Sequence, residues 1–170
     1  MKLINLLISS AVVCAFTACT PKEAAKPASV PPAPAAVSPT AVAGPRAIEI
    51  TAGDLPAFSI KLIEAKPGEE LKITLKDIGN VPKMAMGHNF ILLAKGTDLE
   101  SFGQEAAMAR PTDFIPPGFE MEMLAHTKLL GPGESDSITF TAPKEPGEYD
   151  YICSMPGHYL SGMRGKLVVK

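Results

Sequence analysis

Residues 69–76 read EELKITLK. Leu71, Ile73 and Leu75 alternate with Lys72, Thr74 and Lys76, the period of a strand with one face in a core and the other in water. KPGE (66–69) leads into it, and LGPGES (130–135) and KEPGE (144–148) punctuate the chain further on, each a Pro-Gly or Gly turn signal. Working outward, the same texture recurs in AIEI (47–50), FSIKLIEA (58–65), HNFILLA (88–94), EMLAHTKLL (122–130), DSITFTA (136–142), EYDYICS (148–154) and GKLVVK (165–170). About eight short strands at this spacing predict an all-β domain over 47–170, an antiparallel sandwich with Greek-key connections. One stretch breaks the pattern. TDLESFGQEAAMAR (97–110) opens on a capping residue, Thr97 or Asp98, continues in helix formers and is stopped by PTDFIPPGF (111–119). It reads as a helical flap inserted outside the sandwich.

The chain begins MKLINLLISSAVVCAFTAC. Its apolar run, residues 3–18, is short for a bilayer span of roughly 20 residues and suits the core of a signal peptide over 1–18. FTAC (16–19) resembles the lipobox of bacterial lipoproteins, in which the cysteine is acylated and becomes the new N-terminus. Ordinary cleavage near Cys19 without lipidation is the other reading. Residues 20–46, TPKEAAKPASVPPAPAAVSPTAVAGPR, lack aromatics and periodicity and cannot build a core. With Cys19 they form a Pro/Ala-rich disordered tether (19–46), biased by proline toward extended conformations. The chain is thereby expected in the periplasm or at the cell surface, anchored to a membrane through Cys19.

Of three cysteines, Cys14 leaves with the signal and Cys19 carries the lipid, so Cys153 alone remains in the folded part. An exported protein with one unpaired thiol is unusual, because exported cysteines pair. Cys153 opens CSMPGHYLSGM (153–163), which holds a thiol, an imidazole and a thioether within eleven residues and no carboxylate. These are the soft and borderline donors that copper and zinc prefer. The bland reading is a hairpin with a buried cysteine and an incidental histidine; a metal-bound thiolate explains the lone thiol better. A thiolate, two imidazoles and a distant thioether make the blue-copper arrangement, and Cys153, His158 and Met163 supply three of the four. Of the other histidines, His88 in MGHNF (86–90) stands where a sandwich end can approach the loop, whereas His126 reads as a surface or strand residue. A net charge of −2 without a basic cluster excludes nucleic acid as a natural partner. No phosphate loop, G-x-S-x-G or H-E-x-x-H motif is present.

GNVPKMAMGHNF (79–90), AHTKLLGPGESDSITF (125–140) and GEYDYICSMPGHYLSGMRGKLVVK (147–170) closely resemble azurin and, in the last block, auracyanin. These are blue-copper cupredoxins that carry electrons, and the resemblance extends over nearly all of 47–170. It implies one type 1 copper bonded by His88, Cys153 and His158, with Met163 as weak axial ligand and the Gly87 carbonyl approaching from the opposite side. It further implies that Asn89 bonds across to the Cys153 segment and that the backbone N–H groups of Asn89 and Met155 point at the sulfur. Four residues separate His158 from Met163, as in auracyanin and one more than in azurin. The N-terminal disulfide of azurin cannot form, its buried tryptophan is replaced near Phe90, and Asp77 stands where some azurins have a titrating histidine.

The implied function is electron transfer through a Cu(I)/Cu(II) couple in a monomeric domain, without catalysis. Its partners would be redox proteins, cytochromes or copper enzymes, docking on an apolar face around His158, Met86 and Leu160. Copper delivery or storage is the alternative, with Met84, Met86, Met121, Met123 and Met155 as extra thioethers. No dense Met-x-x-Met repeat supports it, and methionines commonly fill irregular apolar gaps. An enzyme of the nitrite reductase kind needs a further histidine cluster, and only His126 is spare.

Overall fold

The computed structural model describes residues 44–170; the signal segment, Cys19 and most of the tether lie outside the described residues. Among the described residues eight strands form two sheets: β1 (Arg46–Ala52), β3 (Glu70–Asp77) and β6 (Ser135–Thr141) in the order β1-β3-β6, and β2 (Leu62–Ala65), β4 (Ile91–Leu93), β5 (Met123–His126), β7 (Gly147–Ile152) and β8 (Arg164–Val169) in the order β2-β8-β7-β4-β5. The sheets pack face to face as the expected Greek-key sandwich. Two edge pairs, β1 with β3 and β2 with β8, run parallel, whereas the remaining pairs are antiparallel.

The alternation in β3 does what its period requires: Leu71, Ile73 and Leu75 are fully buried. They face a core that includes Ile50, Phe90, Leu92, Tyr149, Tyr151, Leu167 and Val169. Tyr151 stacks on Phe90 at 4.9 Å between ring centroids and donates its hydroxyl to Ile60 O at 2.6 Å. Gly165, opposite Tyr151 across the β7–β8 pair, is required by close approach: a Cβ there would lie 2.2 Å from the tyrosine ring.

The run 58–65 is not one strand. Residues 58–61 form a corner that passes from one sheet to the other, and only Leu62–Ala65 is β2. Ser59 stays bonded to the first sheet, its N–H donating to Thr51 O at 2.9 Å and its hydroxyl accepting from Thr51 N at 2.8 Å. Lys61 O already belongs to the second sheet, accepting from Lys166 N at 2.9 Å. Phe58 is buried in the core at the turn. Likewise 122–130 divides at Thr127, whose hydroxyl accepts from Phe90 N at 3.0 Å and interrupts the ladder; pairing resumes in a bridge between His88 and Leu130.

α1 (Lys83–Met86) is a single turn after Pro82, too short to show periodicity in the sequence, and the flap is α2 (Leu99–Met108). Asp98 caps α2, its carboxylate accepting from Glu100 N at 3.0 Å. Phe102 and Ala106 are fully buried against Ile91, Leu93 and Ile152 on the outer face of the five-stranded sheet. This is why β4 reads as an unbroken apolar run: Leu92 faces the inner core and its neighbours Ile91 and Leu93 face the helix side.

Candidate metal centre

Two elements meet at one end of the sandwich. The first is the segment from α1 into β4. Gly87 passes close to Lys83 O, which a Cβ would meet at 2.6 Å. His88 follows, fully buried, its backbone bridged to Leu130 in both directions at 3.0 and 2.7 Å. Its ring is held by an Nε2–H donated to Gly53 O at 2.7 Å. Nδ1 is then a bare lone pair, buried and without a hydrogen-bond partner among the described residues. A buried polar atom left unpaired is costly, and here it faces the second element.

That element is the loop between β7 and β8. Cys153 N donates to Met163 O at 3.2 Å and closes the loop at its base. Inside, His158 N donates to Met155 O at 3.0 Å and Met163 N to His158 O at 2.9 Å. Gly157 and Gly162 take positive φ of 82° and 93°, which a side chain would strain, so the chain can fold back twice within eleven residues. Cys153 and Met163 are fully buried and His158 is 6% exposed, its edge reaching the surface.

The loop brings Cys153 Sγ to 3.5 Å from His158 Nδ1, and Sγ lies 4.0 Å from Gly87 O. The His88 and His158 ring centroids are 5.1 Å apart. One donor atom from each of His88, Cys153 and His158 lies within 4.8 Å of the others. Asn89 joins the two elements: its Oδ1 accepts from Ser154 N and its Nδ2 donates to Ser154 Oγ, both at 2.8 Å. Backbone N–H groups of Asn89 and Met155 face the sulfur, but burial dominates and pushes the Cys153 thiol up to about 12. Burial, reinforced by the neighbouring His88, pushes His158 down to about 4. With no cation the Cys153 thiol and the His158 ring are thus neutral, and a thiolate requires a positive centre beside it. A bare buried imidazole nitrogen, a second imidazole and a thiol, without carboxylate, fit copper by the chemistry of the donors.

His126 stands apart, exposed on β5 opposite Ile91. Met84 and Met121 are exposed, and Met155 is buried beside the sulfur. Sequence reasoning did not find the Gly53 carbonyl behind His88. It is a backbone atom 35 residues away, and no residue type announces it.

A two-sheet β-sandwich with a buried His-Cys-His cluster at one end defines a cupredoxin. Residues 46–170 match the family of copper binding proteins of the plastocyanin/azurin type, and the chain belongs to that family. It is 37% identical to the outer membrane protein H.8 of Neisseria meningitidis serogroup B, over 75% of this chain and 69% of that protein. It is 37% identical to the azurin of Achromobacter denitrificans, over 69% of this chain and 80% of that one. The crystal structure of dithionite-reduced auracyanin from Roseiflexus castenholzii superposes with a TM-score of 0.65 at 36% identity, covering 73% of this chain and 96% of that one.

Proposed function

We propose that the protein is an exported electron carrier whose single type 1 copper is held by His88, Cys153 and His158, with Met163 as axial ligand. The observation that carries the ligand assignment is the bare, buried Nδ1 of His88 facing Cys153 and His158. Copper bound there supplies a one-electron couple between Cu(I) and Cu(II). The protein's part is to hold the donors fixed, so that little rearrangement accompanies the change of oxidation state. His88 is locked by Gly53 O and the Leu130 bridge, and Cys153 by the Asn89–Ser154 bonds and the Met163 rung. Burial of His88, Cys153 and Met163 excludes water. The 6% exposure of His158 gives the site an edge through which electrons can pass.

Pro156, Gly157 and Leu160 flank His158 in the loop, and Leu160 is 82% exposed. A groove of about 420 Å³ between α2 and the loop adjoins it, lined by Gly103, Ala107, Met155, Pro156, Gly157, Tyr159 and Leu160 together with Glu100, Gln104 and Ser154, of which Glu100 alone is charged. This face, with Met86, supports docking of a redox protein with few charges to desolvate. For the N-terminus we infer residues 1–18 as signal, Cys19 as lipidated and the Pro/Ala-rich stretch after it as a tether that ends where Arg46 opens β1. FTAC supports this, as does the likeness to a protein named for the outer membrane. Copper storage is distinguished by stoichiometry. After dialysis against a weak chelator, one retained copper per chain and a reversible one-electron wave in voltammetry are expected; several labile coppers without such a wave would overturn the carrier reading.

A further inference from the structure

The ring of His88 is held from behind by the carbonyl of Gly53, and a loop carbonyl orients a ring only as well as the loop itself is held. Segment 52–54, at the end of β1, is laced to segment 78–81 on both sides of that carbonyl. On one side Ala52 O accepts from Ile78 N at 2.8 Å. On the other, Asp54 Oδ1 accepts from Asn80 N at 2.7 Å and from Val81 N at 3.0 Å, while Oδ2 accepts from Asn80 Nδ2 at 3.3 Å. Gly79 makes room for this: a Cβ there would lie 2.6 Å from Asp54 Oδ1. Gly53 O, between two anchored neighbours, is left to accept the His88 Nε2–H at 2.7 Å.

We propose that Asp54 is a positioning residue for the metal centre, fixing the Gly53 carbonyl so that His88 keeps its proton on Nε2 and presents Nδ1 to the metal. This rests on the reading of His88 as a ligand. Asp54 itself is exposed, and its carboxylate bonds to Asn80 and Val81 rather than to the ring or the other donors. Its action is geometric: a carboxylate reaching two backbone N–H groups spans two segments that no strand pairing joins at that point. The amide of asparagine offers one acceptor oxygen for Asn80 N and Val81 N, forfeits only the 3.3 Å contact from Asn80 Nδ2, and should substitute for the carboxylate in holding the backbone.

The test uses the full chain as Asp54→Ala, Asp54→Asn and Asp54→Glu. In the metal-free protein, nitrogen-15 NMR of the histidine ring reports the His88 tautomer and the exchange rate of its Nε2–H. In the copper-loaded protein, the EPR hyperfine coupling reports the site. Asp54→Ala is expected to speed Nε2–H exchange about tenfold relative to the Ile152 amide, the worth of one or two such hydrogen bonds. It should also admit the Nδ1–H tautomer and change the hyperfine coupling, while Asp54→Asn behaves as wild type. Where Asp54→Ala does not fold, Asp54→Glu carries the test, because an extra methylene cannot seat in the niche at Gly79, and the same loss of ring protection is expected. Unchanged tautomer and exchange in the variant tested, or acceleration only in step with the Ile152 amide, would overturn the proposal and leave Asp54 a mere staple. Failure of the wild type to take up copper would instead strike the ligand assignment, since the ring measurement needs no metal.

Discussion

Met163 is fully buried at the rung where the loop between β7 and β8 closes on Cys153. A thioether there can donate weakly to copper, and leucine fills nearly the same space without a donor. Met163→Leu should therefore keep the colour of the oxidised protein and raise its potential by a step on the order of 60 mV, tenfold in a one-electron equilibrium. Voltammetry decides it, and a lowered potential would argue against an axial role. Asn89 is buried between the two elements of the site, and its side chain satisfies both Ser154 N and Ser154 Oγ. Asn89→Leu leaves those groups unpaired and should cost about 2 kcal/mol in urea unfolding of the metal-free protein. At this scale the sequence was readable where residue type carries the chemistry. Cys153, His158 and Met163 share one short loop, and their softness is plain from the letters. That His88 rather than His126 approaches them depends on which strand end lies nearby, which spacing suggested and family resemblance sharpened. The Gly53 carbonyl was not readable, because a backbone oxygen is common to every residue.

The elements that carry the site are held by a few identifiable contacts. Phe102 ties α2 to the five-stranded sheet and meets Phe119 edge to face at 5.5 Å. Phe102→Ala should destabilise the domain by about 3–4 kcal/mol. Glu134 pins α1 to the loop before β6, taking Lys83 Nζ at 2.7 Å and Gly131 N at 2.8 Å. Those two partners, Lys83 foremost, hold its carboxyl below the usual carboxylate range. Because the folded value is the lower one, the stability Glu134 contributes is complete above the ordinary carboxylate range and is lost as pH falls through the folded value. Denaturation midpoints of wild type and Glu134→Gln should therefore differ at neutral pH and converge in acid; a gap that widens in acid would contradict the assignment. Strands such as β3 were legible because one face is wet and the other dry, which writes a period of two into the letters. The corner at 58–61 was not, because Phe58 and Ser59 alternate as strand residues do while the backbone turns between sheets. Nor was the parallel pairing of β1 with β3, since a strand's own pattern is silent about the direction of its neighbour.

For the whole molecule, the domain, the proposed tether and the proposed docking face make separate claims. If Cys19 is acylated, wild type should fractionate with membranes and Cys19→Ser should be released, with mass spectrometry locating the modified N-terminus. A soluble, unmodified wild-type chain would remove the anchor and leave the copper site untouched. If electrons pass at the His158 edge, Met86→Lys and Leu160→Lys should slow exchange with a redox partner and between two copies. The lysines place like charges on facing patches, while the copper spectrum should stay nearly the same. Equal rates in both assays would move the exit to another face. The most direct test of the central claim is an optical titration of the metal-free protein with Cu(II). One equivalent per chain should bring up an intense visible band from Cys153 thiolate to copper, absent from Cys153→Ser at any copper concentration. A band of equal intensity in Cys153→Ser, or none in wild type with copper fully bound, would contradict it.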